Sequence, residues 1–316
     1  MFFDAWAEAA IEIDQDERLV VETKDSLCGL AKQEAPTGLA LDEVIDRLGG
    51  ACPVTGPIAV RGAEPGTILA VHLERVDPVP AAGEAWTGII QGFGALTHER
   101  YGIQPPIEPV TRLVRYDGGA ASFGLASGET VSVPIRPFLG TVAVAPRWER
   151  RMSFSQSSEY LGDIDLPQVR EGATLVLPVN VPGAMLYLGD AHAAQGDGEI
   201  TGAALEIEAE AVVSCRVLQP DEAGWVALPQ LNDAESIGSI AATEGNDLTQ
   251  CARAAYRDLV NRLERFHGFT LSEAYQLLGQ VGRLQVGNMV DPFYSVLASV
   301  DRTYLPRIGG ACGPAS

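Results

Sequence analysis

The stretch of residues 172–208 most constrains the fold, because short apolar runs alternate there with turn residues. Residues 175–181 and 184–188 are apolar apart from Asn180 and are separated by Pro182-Gly183, and a strand-like pattern resumes at Leu205. Apolar runs of this length, bounded by glycine and proline, predict β-strands. The centre of the chain is therefore expected to be β-sheet.

The predicted turn between these strands, residues 189–199, concentrates polar groups. Asp190 and His192 are two residues apart, as are Asp197 and Glu199, so each pair leaves one face of an extended chain. Asp197-Gly198 is a hairpin-turn dipeptide, and a reversal there would bring the second pair back toward the first. Carboxylates converging with one imidazole would suit a divalent metal such as zinc. The spacing alone favours an ordinary surface turn, because Asp-Gly is far more often a turn signal than part of a ligand set.

Composition excludes several classes of partner. The net charge of −20 argues against binding to nucleic acid or to an anionic membrane surface. No run approaches the eighteen or so apolar residues of a membrane span, and the N-terminal residues do not resemble a secretory signal. The five cysteines are scattered and predict reduced thiols. We therefore expect a cytoplasmic protein.

The 316 residues, 46% of them hydrophobic, suffice for one large domain or two intimate ones. Local patterns predict a strand pair in residues 10–24, a helix over 39–48, strands with a tight turn in 55–76, and a buried strand after Arg136. Further along they predict a helix of about five turns from residue 248, a second helix opened by the Thr270–Glu273 capping box, and strands in 283–290 and 295–300.

Three segments resemble the acetamidase/formamidase family of amide hydrolases. They are GDAHAAQGDGEITGAALEIEAEA with its lead-in from residue 162, TGPIAVRGAEPGTILAVHLERVDP from residue 55, and, more weakly, EAYQLLGQVGRLQVGNMVDPFYSVLASVDRTYLP. The resemblance implies an α+β fold that is predominantly β, sandwich- or barrel-like, with a C-terminal α+β part. We divide the chain into residues 1–150, 151–240 and 241–316, packed as one unit.

The resemblance also implies a homo-oligomeric hydrolase of acetamide, formamide or a related primary amide, with arylacetamides within the family's reach. Trp86, Phe93 and Phe138 would favour a larger pocket if they line it. His98 is a further candidate for such a site, although no local pattern requires it there. Two alternatives stay open. One is another metal-dependent C–N hydrolase acting on cyclic imides or urea-type substrates, and the other is a non-catalytic protein that binds a metal or small molecule.

Lysine-dependent routes to amide hydrolysis are disfavoured by the sequence. Such routes need a lysine within hydrogen-bond reach of the nucleophile, and the chain has only Lys24 and Lys32. Lys24 lies near Ser26 and Cys28 but lacks the glycine-rich surroundings usual for such serines. A metal route therefore fits the residues better.

On that route, Asp165, Asp190 and His192 are predicted to hold a divalent ion, zinc in the first place and calcium as the alternative. Glu199 is the predicted general base and later proton donor to ammonia. Asp197 is predicted either to be a ligand or to orient His192.

Gln195 is predicted to bind the carboxamide of the substrate, since its donor and acceptor match that group. Two departures from the family pattern bear on selectivity. Asp163 stands where the family typically has asparagine, and residues 158–161 replace a glycine-rich lead-in.

Overall fold

The computed structural model describes residues 1–35, 37–91, 93–96, 107–244, 247–290 and 293–306, and within them β-structure predominates. The first half contains these elements: β1 (Phe2–Asp4), β2 (Ile11–Ile13), β3 (Leu19–Thr23), α1 (Leu30–Glu34), α2 (Leu41–Leu48), β4 (Val54–Val60), β5 (Ile68–Pro78), β6 (Gly83–Ile89), β7 (Val110–Asp117), β8 (Ala120–Gly124), β9 (Thr130–Pro134), β10 (Phe138–Ala143), β11 (Arg150–Met152) and β12 (Gln156–Ser157).

The second half contains β13 (Leu161–Asp163), β14 (Thr174–Pro178), β15 (Leu186–Ala194), β16 (Leu205–Ile207), β17 (Ala209–Leu218), β18 (Gln230–Asn232), β19 (Ser236–Glu244), α3 (Leu248–His267), α4 (Leu271–Val281), β20 (Arg283–Val286) and β21 (Phe293–Asp301), followed by a 3₁₀ turn at Arg302–Tyr304. The prediction of a mainly β fold with few helices is confirmed.

Two large sheets contain nearly all the described strands. One runs β12-β13-β10-β15-β16-β6-β7-β8-β9, with β4 paired to β15 and β2 paired to β4. The other runs β20-β21-β19-β18-β14-β5-β17-β3. The largest hydrophobic cluster takes side chains from both sheets, such as Leu139 and Val142 from the first and Val71 and Leu175 from the second. The two sheets therefore share one core.

Strands from residues 1–150 and 151–240 lie side by side in both sheets. In the first sheet β4 pairs with β15, and in the second β5 lies between β14 and β17. Residues 241–316 contribute β20 and β21 to the second sheet, and α3 and α4 pack there through a separate cluster that includes Cys251, Leu259 and Leu278. No helix among the described residues is long and apolar enough to cross a membrane.

Several local predictions are confirmed, and two are wrong in detail. Helices α2, α3 and α4 lie where predicted, and the capping box at Thr270 and Glu273 is present. The strands within residues 10–24 do form, but they do not pair with each other, because β2 joins β4 in one sheet and β3 joins β17 in the other. The predicted turn from residue 189 is also too long, since β15 continues as strand through Ala194.

Candidate active site

Strand β15 changes partners where it carries the first two polar residues of the site. Its residues 186–189 pair with β4 and residues 191–194 with β16. Asp190 lies at this junction with φ 53°, in the left-handed region that few residues other than glycine and asparagine adopt. On the neighbouring strand β10, a Cβ added to Gly140 would collide with carboxylate oxygens of Asp165 and Asp190. A glycine on β10 thus leaves room for two carboxylates above it.

His192 is held in one tautomer by Gln195. The Nε2 amide of Gln195 donates to the carbonyl oxygens of Asp165 at 2.6 Å and Gly287 at 3.1 Å, so its Oε1 must be the acceptor facing His192 Nδ1 at 2.9 Å. The proton of the neutral imidazole is therefore on Nδ1. The ring is further fixed by an edge-to-face contact with Phe138, with ring centroids 5.0 Å apart.

The other ring nitrogen of His192 faces carboxylates. Nε2 lies 3.2 Å from Asp190 Oδ2 and 3.3 Å from Glu206 Oε1. In the tautomer fixed by Gln195, Nε2 carries a lone pair, which two carboxylates repel unless a proton or a cation lies between them. Metal-ligating histidines show this arrangement, with the distal nitrogen on an acceptor and the proximal nitrogen toward the ion.

Asp190 and His192 lie among four more buried acids, and we call the whole group the acidic cluster. Its members are Asp163, Asp165, Asp190, His192, Glu199 and Glu206. Glu206 on β16 lies opposite His192 and accepts a hydrogen bond from the Ser26 hydroxyl at 2.7 Å. Asp163 at the end of β13 accepts one from the Thr141 hydroxyl.

The remaining two acids follow strand ends in strained conformations. Asp165 has φ 48° and accepts a hydrogen bond from Asn288 Nδ2 at 2.7 Å, and Glu199 has φ 45° and accepts one from the backbone N–H of Ala204 at 2.9 Å. Positive φ at three buried acids of one site is strain that the surrounding sheet must maintain.

Burial and mutual repulsion distort the proton equilibria of these acids. Burial, followed by the charge of Asp165, raises the pKa of Asp163 and of Glu199 well above the usual range. Burial and the charge of Asp190 raise the pKa of Asp165 to about 7. Burial also raises the pKa of Glu206. With only the protein's own groups present, these carboxyls tend to retain protons near neutral pH.

The pKa shifts of Asp190 and His192 instead favour the charged form of each group. Burial alone would raise the pKa of Asp190, but the His192 imidazole and hydrogen bonds to neighbouring groups lower it overall. Burial would likewise lower the pKa of His192, but the charges of Glu206 and Asp190 raise it well above its ordinary value. The cluster therefore favours a positive charge at its centre.

The cluster fits a divalent cation. Ligand atoms of Asp165, Asp190 and His192 all lie within 4.8 Å of one another, as do those of His192, Glu199 and Glu206. Oδ1 of Asp165 and Oδ1 of Asp190 are buried, and no hydrogen-bond donor among the described residues reaches either. Buried oxygens without a donor are costly in a folded protein, and a cation would satisfy both. The imidazole favours zinc over calcium, which prefers oxygen ligands alone.

A cavity of about 50 Å³ opens beside the acidic cluster. Asp163, Asp190, His192, Glu199 and Glu206 form its polar wall, with Ser26, Cys52 and Asn288, and the apolar wall includes Leu27, Val44, Ile90, Trp86, Phe93 and Phe154. A single water needs roughly 10–15 Å³ by this measure, so the space suits a molecule of a few heavy atoms. The Nε1 donor of Trp86 is buried and has no acceptor among the described residues.

The structure brings together the three predicted metal ligands and Glu199, but it separates Asp197 and Gln195 from the cavity. Gly198, with φ 82°, reverses the chain so that Glu199 is buried and Asp197 is exposed. The carboxamide of Gln195 is fully engaged with backbone carbonyls and His192. These hydrogen bonds favour an orienting role for Gln195 over the substrate-binding role predicted for it.

Of the three aromatic residues predicted to line a pocket, two line the cavity and one does not. Trp86 and Phe93 line the cavity, whereas Phe138 packs against the far side of His192. His98 lies outside the described residues.

Sequence reasoning missed Glu206 and Asn288, and it noted Asp163 only as a departure. Glu206 had a usable signal, because it is the polar residue between Leu205 and Ile207, and a hairpin would set it opposite His192. Asn288 comes from a distant loop after β20, and no local pattern indicates that it reaches Asp165.

Comparisons with known proteins identify a family for this chain. The sequence model of the acetamidase/formamidase family matches residues 5–161 and 151–298. The crystal structure of an acetamidase from Yersinia enterocolitica superimposes with a TM-score of 0.84 at 29% identity, covering 97% of this chain and 89% of that chain. An acetamidase from Bacillus halodurans gives a TM-score of 0.82 at 25% identity, covering 96% of this chain and 95% of that chain.

Curated relatives match over shorter stretches. The acetamidase of Mycolicibacterium smegmatis is 29% identical over 197 residues, which is 46% of this chain and 48% of the relative. The chain spans about half the length of the curated relatives it matches. The family match, by contrast, extends across both large sheets and all the residues of the acidic cluster. The chain therefore belongs to the acetamidase/formamidase family.

Proposed function

We propose that the acidic cluster hydrolyses a small primary amide and releases ammonia. The observation that carries the proposal is the arrangement of His192, whose Nδ1 is held by Gln195 while Nε2 faces two buried carboxylates beside a cavity. Membership of the acetamidase/formamidase family supports the same reaction class.

Asp165, Asp190 and His192 would hold a divalent cation, which we propose to be zinc. Such an ion supplies a Lewis acid that polarises the amide carbonyl and acidifies a neighbouring water. Asn288 and Gln195 keep two of the ligands in place, since Asn288 donates to Asp165 and Gln195 accepts from His192. Residues that orient ligands in this way typically matter nearly as much as the ligands.

Glu199 is the proposed proton carrier. The backbone N–H of Ala204 fixes its Oε1, which leaves Oε2 for exchange with the cavity. Burial raises the pKa of Glu199 well above its usual range, so the carboxylate is basic enough to take a proton from water. It can then return that proton to the departing nitrogen, which would otherwise leave as an unstable anion.

The apolar wall selects for small acyl groups. The cavity of about 50 Å³ has room for formamide or acetamide, whereas the ring of an arylacetamide would displace Trp86 or Phe93. The free Nε1 donor of Trp86 is the proposed partner of the substrate's carbonyl oxygen. Acetamide and formamide are therefore the proposed substrates.

The test is ammonia release from formamide, acetamide, propionamide and indole-3-acetamide, before and after chelation and after zinc is added back. We expect chelation to abolish release, zinc to restore it, and rates to fall as the acyl group grows. Glu199→Gln should lower kcat by about 10²–10⁴-fold with zinc content unchanged. Release that is indifferent to chelation, or fastest with indole-3-acetamide, would contradict the proposal.

A further inference from the structure

Cys52 brings a sulphur atom to the edge of the acidic cluster. Its Sγ and carboxylate oxygens of Asp163 and Asp190 all lie within 4.8 Å of one another, and the three side chains line the same cavity. The backbone N–H of Cys52 donates to the carbonyl oxygen of Ser26 at 2.8 Å, and the Ser26 hydroxyl in turn bonds Glu206. Cys52 is thus tied to the cluster through its backbone as well as placed beside it.

Asp190 belongs both to this group and to the group formed with Asp165 and His192. Asp190 is only 3% exposed, and no donor among the described residues reaches its Oδ1. Glu206 differs, because Ser26 donates to its Oε2 and the backbone of Ala204 to its Oε1. Asp190 thus has a buried oxygen without a donor and belongs to both ligand groups, so its carboxylate is suited to bridging two cations.

The charge of the cluster also exceeds what one divalent ion balances. Five carboxylates surround His192 in these overlapping groups and their neighbours. If all five are ionised, one divalent ion leaves three negative charges in a buried site, and a second ion bound by the Cys52 thiolate leaves two. Uncompensated buried charge is strongly unfavourable, so the chemistry of the site favours the second ion.

We propose that Cys52, Asp163 and Asp190 bind a second divalent, thiophilic cation beside the one held by Asp165, Asp190 and His192, with Asp190 shared between the two. The inference rests on the cation of the proposed function and adds a ligand group to it. A thiolate ligand selects zinc-like ions and disfavours calcium and magnesium. The predicted result is a two-metal centre in which each ion neutralises part of the cluster.

The experiment uses the full chain, stripped with a chelator and reconstituted with cobalt(II). Elemental analysis counts cobalt per chain, and near-ultraviolet absorption detects the thiolate-to-cobalt charge-transfer band without any substrate. We expect two cobalt ions per chain and a clear band. Cys52→Ser should lose the band and one ion, and Asp163→Asn should lose one ion.

Cys251→Ser is the matched control. Cys251 is buried, and its Sγ contacts Thr243 and the carbonyl of Tyr294 beside α3, away from the cluster. This variant should keep both ions and the band. Circular dichroism of each variant verifies folding, and if Cys52→Ser does not fold, the ion count and band of Asp163→Asn, compared with those of the Cys251→Ser control, decide the question.

The outcomes separate this inference from the proposed function. One cobalt per chain without a thiolate band would overturn the second site and leave the first intact. A band that persists in Cys52→Ser would also overturn it, because another cysteine would then be the ligand. A chain that binds no cobalt would overturn the cation of the proposed function as well.

Discussion

Two regions of the molecule bury charge, and they treat it in opposite ways. In what we call the Arg262 network, which consists of Asn232, Ser239, Asp258 and Arg262, every charged group has protein partners. Asp258 accepts from two backbone N–H groups and from the Ser239 hydroxyl. Arg262 donates to the Gly238 carbonyl, to Ser239 and to Asn232.

The acidic cluster, by contrast, leaves Oδ1 of Asp165 and Oδ1 of Asp190 without donors among the described residues, and it directs Nε2 of His192 at two carboxylates. A closed network of buried charge serves the fold, whereas one whose charges lack partners is built for something that binds. We therefore expect substitutions in the acidic cluster to lower activity and substitutions in the Arg262 network to lower stability.

The largest expected effect is on activity, from Asp190→Asn. Asparagine keeps the volume and tolerates the left-handed conformation at this position, but it removes the charge shared by two ligand groups. Even residues that only orient metal ligands typically cost 10–100-fold, so we expect ammonia release to fall by more than about 100-fold.

The comparison also predicts that stability will not follow activity in this variant. The charge of Asp190 is repelled by Asp165 and attracted by His192, so its loss removes interactions of both signs. The melting temperature measured with chelator should therefore change little. A variant that melts much earlier would show that the acidic cluster holds the fold together, as the Arg262 network does.

The second effect is the converse, from Arg262→Met in the Arg262 network. The change leaves the carbonyl of Gly238 and the Asn232 side chain without their buried donor. Loss of buried, charged hydrogen bonds of this kind costs about 3 kcal/mol, to be measured by urea unfolding. Ammonia release per folded molecule should match that of the unaltered chain, and a selective loss of activity would break the distinction between the regions.

A third effect concerns the space that Gly140 leaves for the carboxylates of the acidic cluster. Gly140→Ala places a methyl group against Asp165 and Asp190, so we expect zinc affinity to fall by about 10–100-fold. Gly279→Ala is the control, because a Cβ there meets nothing within 4 Å in helix α4, and alanine is favoured over glycine in a helix by about 0.5–1 kcal/mol. Equal zinc affinity in the two variants would show that Gly140 is not needed for the ligands to approach.

A fourth effect distinguishes two roles for Gln195. If it orients His192, as its hydrogen bonds indicate, Gln195→Ala should lower zinc affinity by roughly tenfold or more and leave KM at saturating zinc nearly unchanged. If it binds the substrate carboxamide, KM should rise while zinc affinity stays the same. Competition with a fluorescent zinc chelator, together with KM at high zinc, separates the two.

The two regions also differ in how far the sequence predicts them. Helices α3 and α4 are read from local signals, namely apolar spacing and the capping box at Thr270, because helix hydrogen bonds join residues close in sequence. The network residues Asp258 and Arg262 lie on the buried face of α3, yet their partners on β18 and β19 depend on packing that no local pattern specifies.

In the acidic cluster, the short Asp190–His192 spacing and the turn before Glu199 made three of the residues predictable. Asp165 was found by family resemblance and not by spacing. Glu206 reaches the cluster by strand pairing with His192, about fifteen residues earlier in the chain. Cys52 and Asn288, by contrast, contact acids that lie more than a hundred residues away in sequence. Sequence patterns fix the side of a strand that a residue faces, but not which distant loop comes to lie above it.

The smallest expected effect concerns His267, at the end of α3 next to the Arg262 network. Burial, together with the charges of Arg262 and Arg302, lowers the pKa of His267 to about 4, against about 6.5 when unfolded. Between these values the unfolded chain binds the proton and the folded chain does not, so this group weakens folding as pH falls from about 6.5 toward 4. His267→Gln should therefore lose less stability than the unaltered chain between pH 7 and pH 5 in urea unfolding. Because the ring is only half-buried, the difference should be small. Identical pH dependence in both proteins would mean that folding does not lower the pKa of His267.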